Sequence, residues 1–224
     1  MNLKDNNKAA QNGNREFLTI SQKQIYKSII EKSEFIAIVT PVDEESEINK
    51  VLDDVRQNYP NASHYVYAYT IGQNQEAQKY SDDGEPSGTG GLPILEIFRN
   101  RGICNIMVVV VRYFGGTKLG TGGLKRAYSR TALEAIERAI IVKKKMHQWL
   151  NVKVDYSSWG KIEYYLEQNS FSIFKTQFTD EVSFLIPVLL SEEGPIISKL
   201  TEIAGGSIHI SRLDCEYLID NDCD

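Results

Sequence analysis

Residues 106–126 read IMVVVVRYFGGTKLGTGGLKR, and the two changes of pattern inside this stretch decide the fold. Ile106 to Val111 is an unbroken apolar run. A strand with one wet face would alternate, so this one is expected to be buried on both faces. A glycine-rich loop follows. Beyond it Leu124, Tyr128, Thr131, Ala135, Ile136 and Ala139 recur at helical intervals, which predicts a helix from about Thr121 to Ala139. A buried strand that feeds a long helix through a loop marks a domain in which helices pack on a sheet.

Toward the N-terminus, Leu92 to Arg101 reads as a helix preceded by the loop Ser81 to Gly91. His64 to Thr70 reads as a strand with Tyr65, Tyr67 and Tyr69 on one face and Val66 and Ala68 on the other. Such an aromatic row either packs under a helix or offers its rings to nucleic-acid bases. Thr40-Pro41-Val42-Asp43 has the cap, the first-turn proline and the early acid of a helix start. Ile48, Val51, Leu52 and Val55 continue that helix, and Tyr59-Pro60-Asn61 stops it. Gln24 to Ile30 and Phe35 to Thr40 read as strands. Residues 1–18 hold too little apolar surface to offset their ordering entropy and are expected to be a disordered tail.

Toward the C-terminus, Lys143-Lys144-Lys145 reads as a solvated linker between domains at 19–142 and 146–220. After it come a strand (Leu150, Val152, Val154), a helix (Trp159, Ile162, Tyr165, Leu166), a strand (Phe171 to Phe178), a strand (Val182 to Val188), a helix (Ile196, Ile197, Leu200, Ile203) and a strand (Ile208, Ile210). This βαββαβ order is the ferredoxin-like motif. The expected fold class is therefore α+β, a two-layer N-terminal domain followed by a ferredoxin-like C-terminal one.

Composition narrows the function classes. A formal net charge of −5 excludes a protein that coats nucleic acid by bulk charge, and leaves a local basic face open. No apolar run approaches the roughly 20 residues of a spanning helix, and the N-terminal segment has no signal-peptide core, so no membrane partner and a cytoplasmic location are expected. Cys104, Cys215 and Cys223 form no CxxC pair, and His64, His147 and His209 show no metal-ligand spacing, so neither a disulfide framework nor a metal site is expected.

The chemistry concentrates in two loops. Ser81-Asp82-Asp83-Gly84-Glu85-Pro86-Ser87-Gly88-Thr89-Gly90-Gly91 is denser in acids, hydroxyls and glycines than a turn requires. Asp82, Asp83 and Glu85 suit proton transfer, a hard cation such as magnesium, or the receipt of arginines. The plainer alternative is that Asp82 and Ser87 cap the loop and the next helix. The second loop opens the long helix, where free N–H groups and the positive helix end favour an anion. Arg112, Tyr113, Lys118, Gly120, Thr121, Gly122, Gly123, Lys125 and Arg126, with Ser87 and Gly88 from the first loop, are the candidate phosphate ligands. Alternatively Arg112 and Lys118 pair with Asp82, Asp83 or Glu85 and pin one loop on the other. A functional site requires the loops to converge in one exposed pocket. No Walker A motif is completed, because Thr121-Gly122 stands where Lys-Ser/Thr is required. On the helix itself, Arg126, Arg130 and Glu134 are spaced for intrahelical pairing.

HYVYAY at 64–69, YSDDGEPSGTGGLPIL at 80–95 and VVVVRYFGGTKLGTGGLKRAY at 108–128 resemble the YigZ/Impact family. The resemblance implies an N-terminal domain like the second domain of a small-subunit ribosomal protein, and a C-terminal domain similar to ferredoxin-like domains of elongation factor G. Eukaryotic Impact proteins regulate translation under amino-acid starvation through a further N-terminal domain. No such domain is read here, so that circuit is not expected. Two functions remain open. One is a non-enzymatic protein binding RNA, the ribosome or a translation factor, without cofactor and as a monomer. The other is an enzyme for a small phosphorylated or acyl substrate, with Asp82, Asp83 or Glu85 as base or magnesium ligand and Lys118 or Arg112 stabilising charge.

Overall fold

The apolar run at the centre of the sequence is the central strand of an antiparallel sheet. In the computed structural model, which describes residues 16–219, it is strand β6 by chain order (Ile106–Tyr113), and Ile106 to Val111 are fully buried. β6 lies between β3 (Ser33–Pro41) and β4 (His64–Ile71), with β2 (Gln24–Ile30) and β5 (Ala77–Ser81) at the edges, in the order β2-β3-β6-β4-β5.

Both faces of this sheet are covered. On one, Phe35, Ala37, Val39, Val66, Ala68, Val108 and Val110 pack with helices α2 (Gly91–Arg101) and α3 (Gly120–Arg138). On the other, Ile36, Ile38, Met107, Val109, Val111 and Tyr69 pack under α1 (Ser46–Asn58) through Ile48, Leu52 and Val55, each worth about 2 kcal/mol of burial. The α+β class is as expected. The layering is corrected, because a sheet whose central strand is apolar on both sides needs a helix on each. In the tyrosine row Tyr69 is buried under α1 while Tyr65 and Tyr67 stay partly exposed beside it: Tyr65 donates to Tyr59 O at 2.7 Å and Tyr69 to Glu45 Oε1 at 2.9 Å.

Other expectations also change. Thr40 and Pro41 close β3 and do not open α1, whose first residue is Ser46. The chain between them is held by the Val42 N–H on Asn105 O and by Asn105 Nδ2 on Asp43 Oδ1. The expected tail lies outside the described residues up to 15, but Glu16 to Leu18 belong to strand β1 (Glu16–Ile20), where Phe17 and Ile20 are buried and Leu18 O accepts the Cys104 N–H at 2.8 Å. β5 was not legible, since AQKYS is a mostly exposed edge strand without β-branched residues.

The described residues divide into two compact units between Lys143 and Lys144. The expected linker lysines sit inside strand β7 (Ile141–Val154), where Lys144 and Lys145 face Ile219 and Leu218 in register and so serve as strand residues. In the second unit β7 is followed by α4 (Tyr156–Gln168), β8 (Phe174–Phe178), β9 (Val182–Leu189), α5 (Glu193–Ile203) and β10 (Ile208–Ile219). Antiparallel pairing gives β10-β7-β9-β8, the ferredoxin-like arrangement. The inward rows Leu150, Val152, Val154 and Val182, Phe184, Ile186, Val188 meet Ile162, Leu166, Ile196 and Leu200 in one core. Asp155 caps α4 by accepting the Ser158 N–H at 2.7 Å.

Candidate functional site

The acidic loop runs from the end of β5 to the start of α2. Asp82 Oδ2 accepts the Gly88 N–H at 2.7 Å, and its Oδ1 accepts those of Gly90 and Gly91 at 2.9 Å each. One carboxylate thus ties the loop and caps the free donors of α2. Gly91 is required there, because a Cβ would meet the Ser81 carbonyl oxygen at 2.8 Å. Asp83 Oδ2 accepts the Tyr65 N–H at 2.6 Å, and its backbone oxygen lies 2.8 Å from His64 Nδ1.

Glu85 turns inward. It is 9% exposed, and its Oε1 accepts Arg112 Nη1 and the Tyr128 hydroxyl, both at 2.6 Å. His64 Nε2 lies 3.8 Å away. Burial, then the hydrogen bond to Glu85, pushes the Tyr128 hydroxyl far above its ordinary range, so it remains a donor. Ser87 is exposed.

The second loop starts from the same junction. Arg112 is 4% exposed, its Nη2 donates to Ser33 Oγ at 3.3 Å, and its guanidinium lies over the Phe35 and Phe114 rings. Its Nε has no hydrogen-bond partner among the described residues. Tyr113 donates to Pro60 O at 3.1 Å, with its pKa raised, first by burial. Gly115 donates to the same Ser33 Oγ, and a Cβ on it would collide with the Lys32 backbone. From here the loop turns outward. Lys118, Gly120, Thr121, Gly122, Lys125 and Arg126 are exposed, and Gly123 is half-buried.

The two loops therefore meet, but at a buried ion pair rather than in the exposed pocket expected. Of the two open readings for Arg112, the structure shows the pin: it is the partner of Glu85 and not a surface ligand. Lys118 pairs with none of the three acids. The expected pairing along α3 is also corrected, since Glu134 takes Arg138 at 3.3 Å and leaves Arg126 and Arg130 unpaired among the described residues. Arg126 folds back over the first turn, its Nη1 3.6 Å from where a Gly122 Cβ would stand. That turn holds no acidic residue, and Leu119 at its N-cap supplies no side-chain acceptor. Ser33, His64 and Tyr128 also belong to the junction; the sequence marked His64 only among the histidines and Tyr128 only on a helix stripe, because each joins it from a strand or helix distant in the chain.

Residues 31–136 match the Impact N-terminal domain, and residues 152–207 match a domain of unknown function, DUF1949. The IMPACT family member YvyE of Bacillus subtilis is 35% identical over 90% of this chain and 93% of its own length. The chain belongs to the IMPACT family. A Thermus thermophilus IMPACT family member is likewise 35% identical, over 81% of this chain and 99% of its own. The crystal structure of a hypothetical protein, 27% identical, superposes with a TM-score of 0.60 over 90% of this IMPACT chain and 98% of that one. The Protein IMPACT homolog of Saccharomyces cerevisiae is 32% identical over 48% of this chain and 42% of its own.

Proposed function

We propose that this IMPACT-family protein is a non-enzymatic regulator of translation that binds structured RNA, as on the ribosome, through the exposed start of α3. Lys118, Lys125 and Arg126 supply the charge, and the backbone N–H groups of Gly120, Thr121, Gly122 and Gly123 supply donors at the positive helix end. The observation that carries this reading is the contrast in how the two loops use their charges. The three carboxylates each hold groups of their own fold. The three cations are exposed and have no partner among the described residues. Asp82 has both oxygens engaged, and Glu85 is buried on a guanidinium that already neutralises it, so neither stands open to a substrate or a magnesium ion. In this reading the protein works as a cytoplasmic monomer and needs no cofactor. Its acidic net charge confines the attraction to this segment.

Filter binding of the full chain to structured RNA at low salt tests the proposal. Binding that is weakened about tenfold or more in Lys118→Ala/Lys125→Ala/Arg126→Ala is the expected result. No binding by the unaltered protein, or full binding by the triple variant, defeats it.

A further inference from the structure

Where α1 covers the sheet near the edge strand β5, a cavity of about 310 Å³ is lined by Glu45, Asn49, Tyr67, Tyr69, Gln78 and Lys79. Strand register brings Tyr67, Tyr69 and Lys79 together, whereas Gln78, opposite Thr70, turns its side chain to the other face. Tyr69 lies directly opposite Lys79, so their side chains share a face, and Tyr67 stands two residues along on the same face. Glu45 and Asn49 come from the opening of α1.

Some of these groups are already satisfied. Tyr69 donates its hydroxyl to Glu45 Oε1. Gln78 accepts from Arg99 Nε at 2.7 Å and donates to Gln75 O at 2.9 Å. The second Glu45 oxygen, the Asn49 carboxamide, the Tyr67 hydroxyl and the Lys79 ammonium have no partner among the described residues. The lining therefore offers an aromatic ring, an anion, an amide and a cation around one hollow, at the small end of the range for ligand pockets.

We infer that this cavity binds a nucleoside monophosphate. The Tyr67 ring stacks on the base, an interaction that tolerates any base because each has a π-face. The Asn49 carboxamide carries both a donor and an acceptor for a base edge. The free Glu45 oxygen accepts a ribose hydroxyl, as acidic residues do in dinucleotide sites. Lys79 takes the phosphate as a point charge. An apolar ligand would leave these polar groups unpaired. With one cation in the lining, Lys79, each phosphate beyond the first would add negative charge that nothing in the site meets. The same chemistry is offered by a free mononucleotide and by an unstacked nucleotide of an RNA strand. No residue is shared with the basic start of α3, so the two sites fail separately.

Isothermal titration calorimetry on the full chain, with each ribonucleoside 5′-monophosphate and with a short single-stranded oligoribonucleotide, tests the site. Saturable binding that falls about tenfold or more in Lys79→Glu, and is unchanged in Lys118→Ala/Lys125→Ala/Arg126→Ala, is expected. Binding of the mononucleotides identifies a free nucleotide as the source, and binding of the oligonucleotide alone identifies RNA; either supports the site. Tyr67→Leu, which keeps apolar bulk under α1, should weaken binding to a similar degree, and Lys79→Glu carries the test should that variant fold poorly. The inference is overturned if nothing saturates by about 10 mM, if Lys79→Glu leaves binding intact, or if the triple variant abolishes it.

Discussion

Two glycine-rich loops, each leading into a helix of the same layer, use their charges in opposite ways. Between Ser81 and Gly91, Asp82 holds three backbone N–H groups, Asp83 holds the Tyr65 N–H, and Glu85 is buried on Arg112 and Tyr128. After Gly115 the other loop leaves Lys118, Lys125 and Arg126 in solvent beside an uncapped helix start. A dense cluster of acids is thus compatible with pure scaffolding, because short carboxylates reach local N–H groups and satisfy them. The basic side chains of the other loop have no acid three or four residues away to pair with, and here they stay available.

The contrast breaks most sharply at Glu85. Glu85→Ala strands the buried Arg112 guanidinium, and a loss of about 3–5 kcal/mol in chemical denaturation is expected. A cost below about 1 kcal/mol would mean that the pair is not the pin between the loops. Asp82→Ala should cost about 2 kcal/mol, because the loop and the first turn of α2 lose a common acceptor. If that variant melted like the unaltered protein, the acid would be free for other work. Tyr128→Phe removes one of the two bonds to Glu85 and should cost about 1 kcal/mol, with Arg112 still in place.

Tyr69 provides a comparison outside both loops. Burial, followed by the hydrogen bond to Glu45 and its charge, raises its hydroxyl from 10.0 to about 12. Its folded-state pKa lies above the unfolded value, so its contribution is intact below pH 10 and is lost as pH rises through about 12. Alkaline unfolding of Tyr69→Phe should accordingly be less steep across that window than that of the unaltered protein.

Most of the framework was legible because burial leaves a period in the sequence. The apolar run at Ile106 to Val111 announced a strand covered on both faces, and the alternation from Leu150 onward announced the ferredoxin-like unit. What escaped lacked that signal. β5 is an exposed edge, β1 is short, and the start of α1 was masked by a Thr-Pro pair that in the fold ends a strand. Of the candidate site, the meeting of the two loops was legible, but not which of their charged residues are buried on each other and which lie in solvent. Whether Arg112 faces an anion or Glu85 depends on which way one side chain leaves β6, and Ser33 and Tyr128, which complete its surroundings, come from separate elements.

The division of labour is tested most directly by measuring RNA affinity against salt concentration for the unaltered chain and for Lys118→Ala/Lys125→Ala/Arg126→Ala. The variant should fold with stability unchanged within about 0.5 kcal/mol, and its log–log salt slope should be shallower by about 2–3. An identical slope in both proteins would contradict the assignment of the basic loop as the phosphate-binding surface.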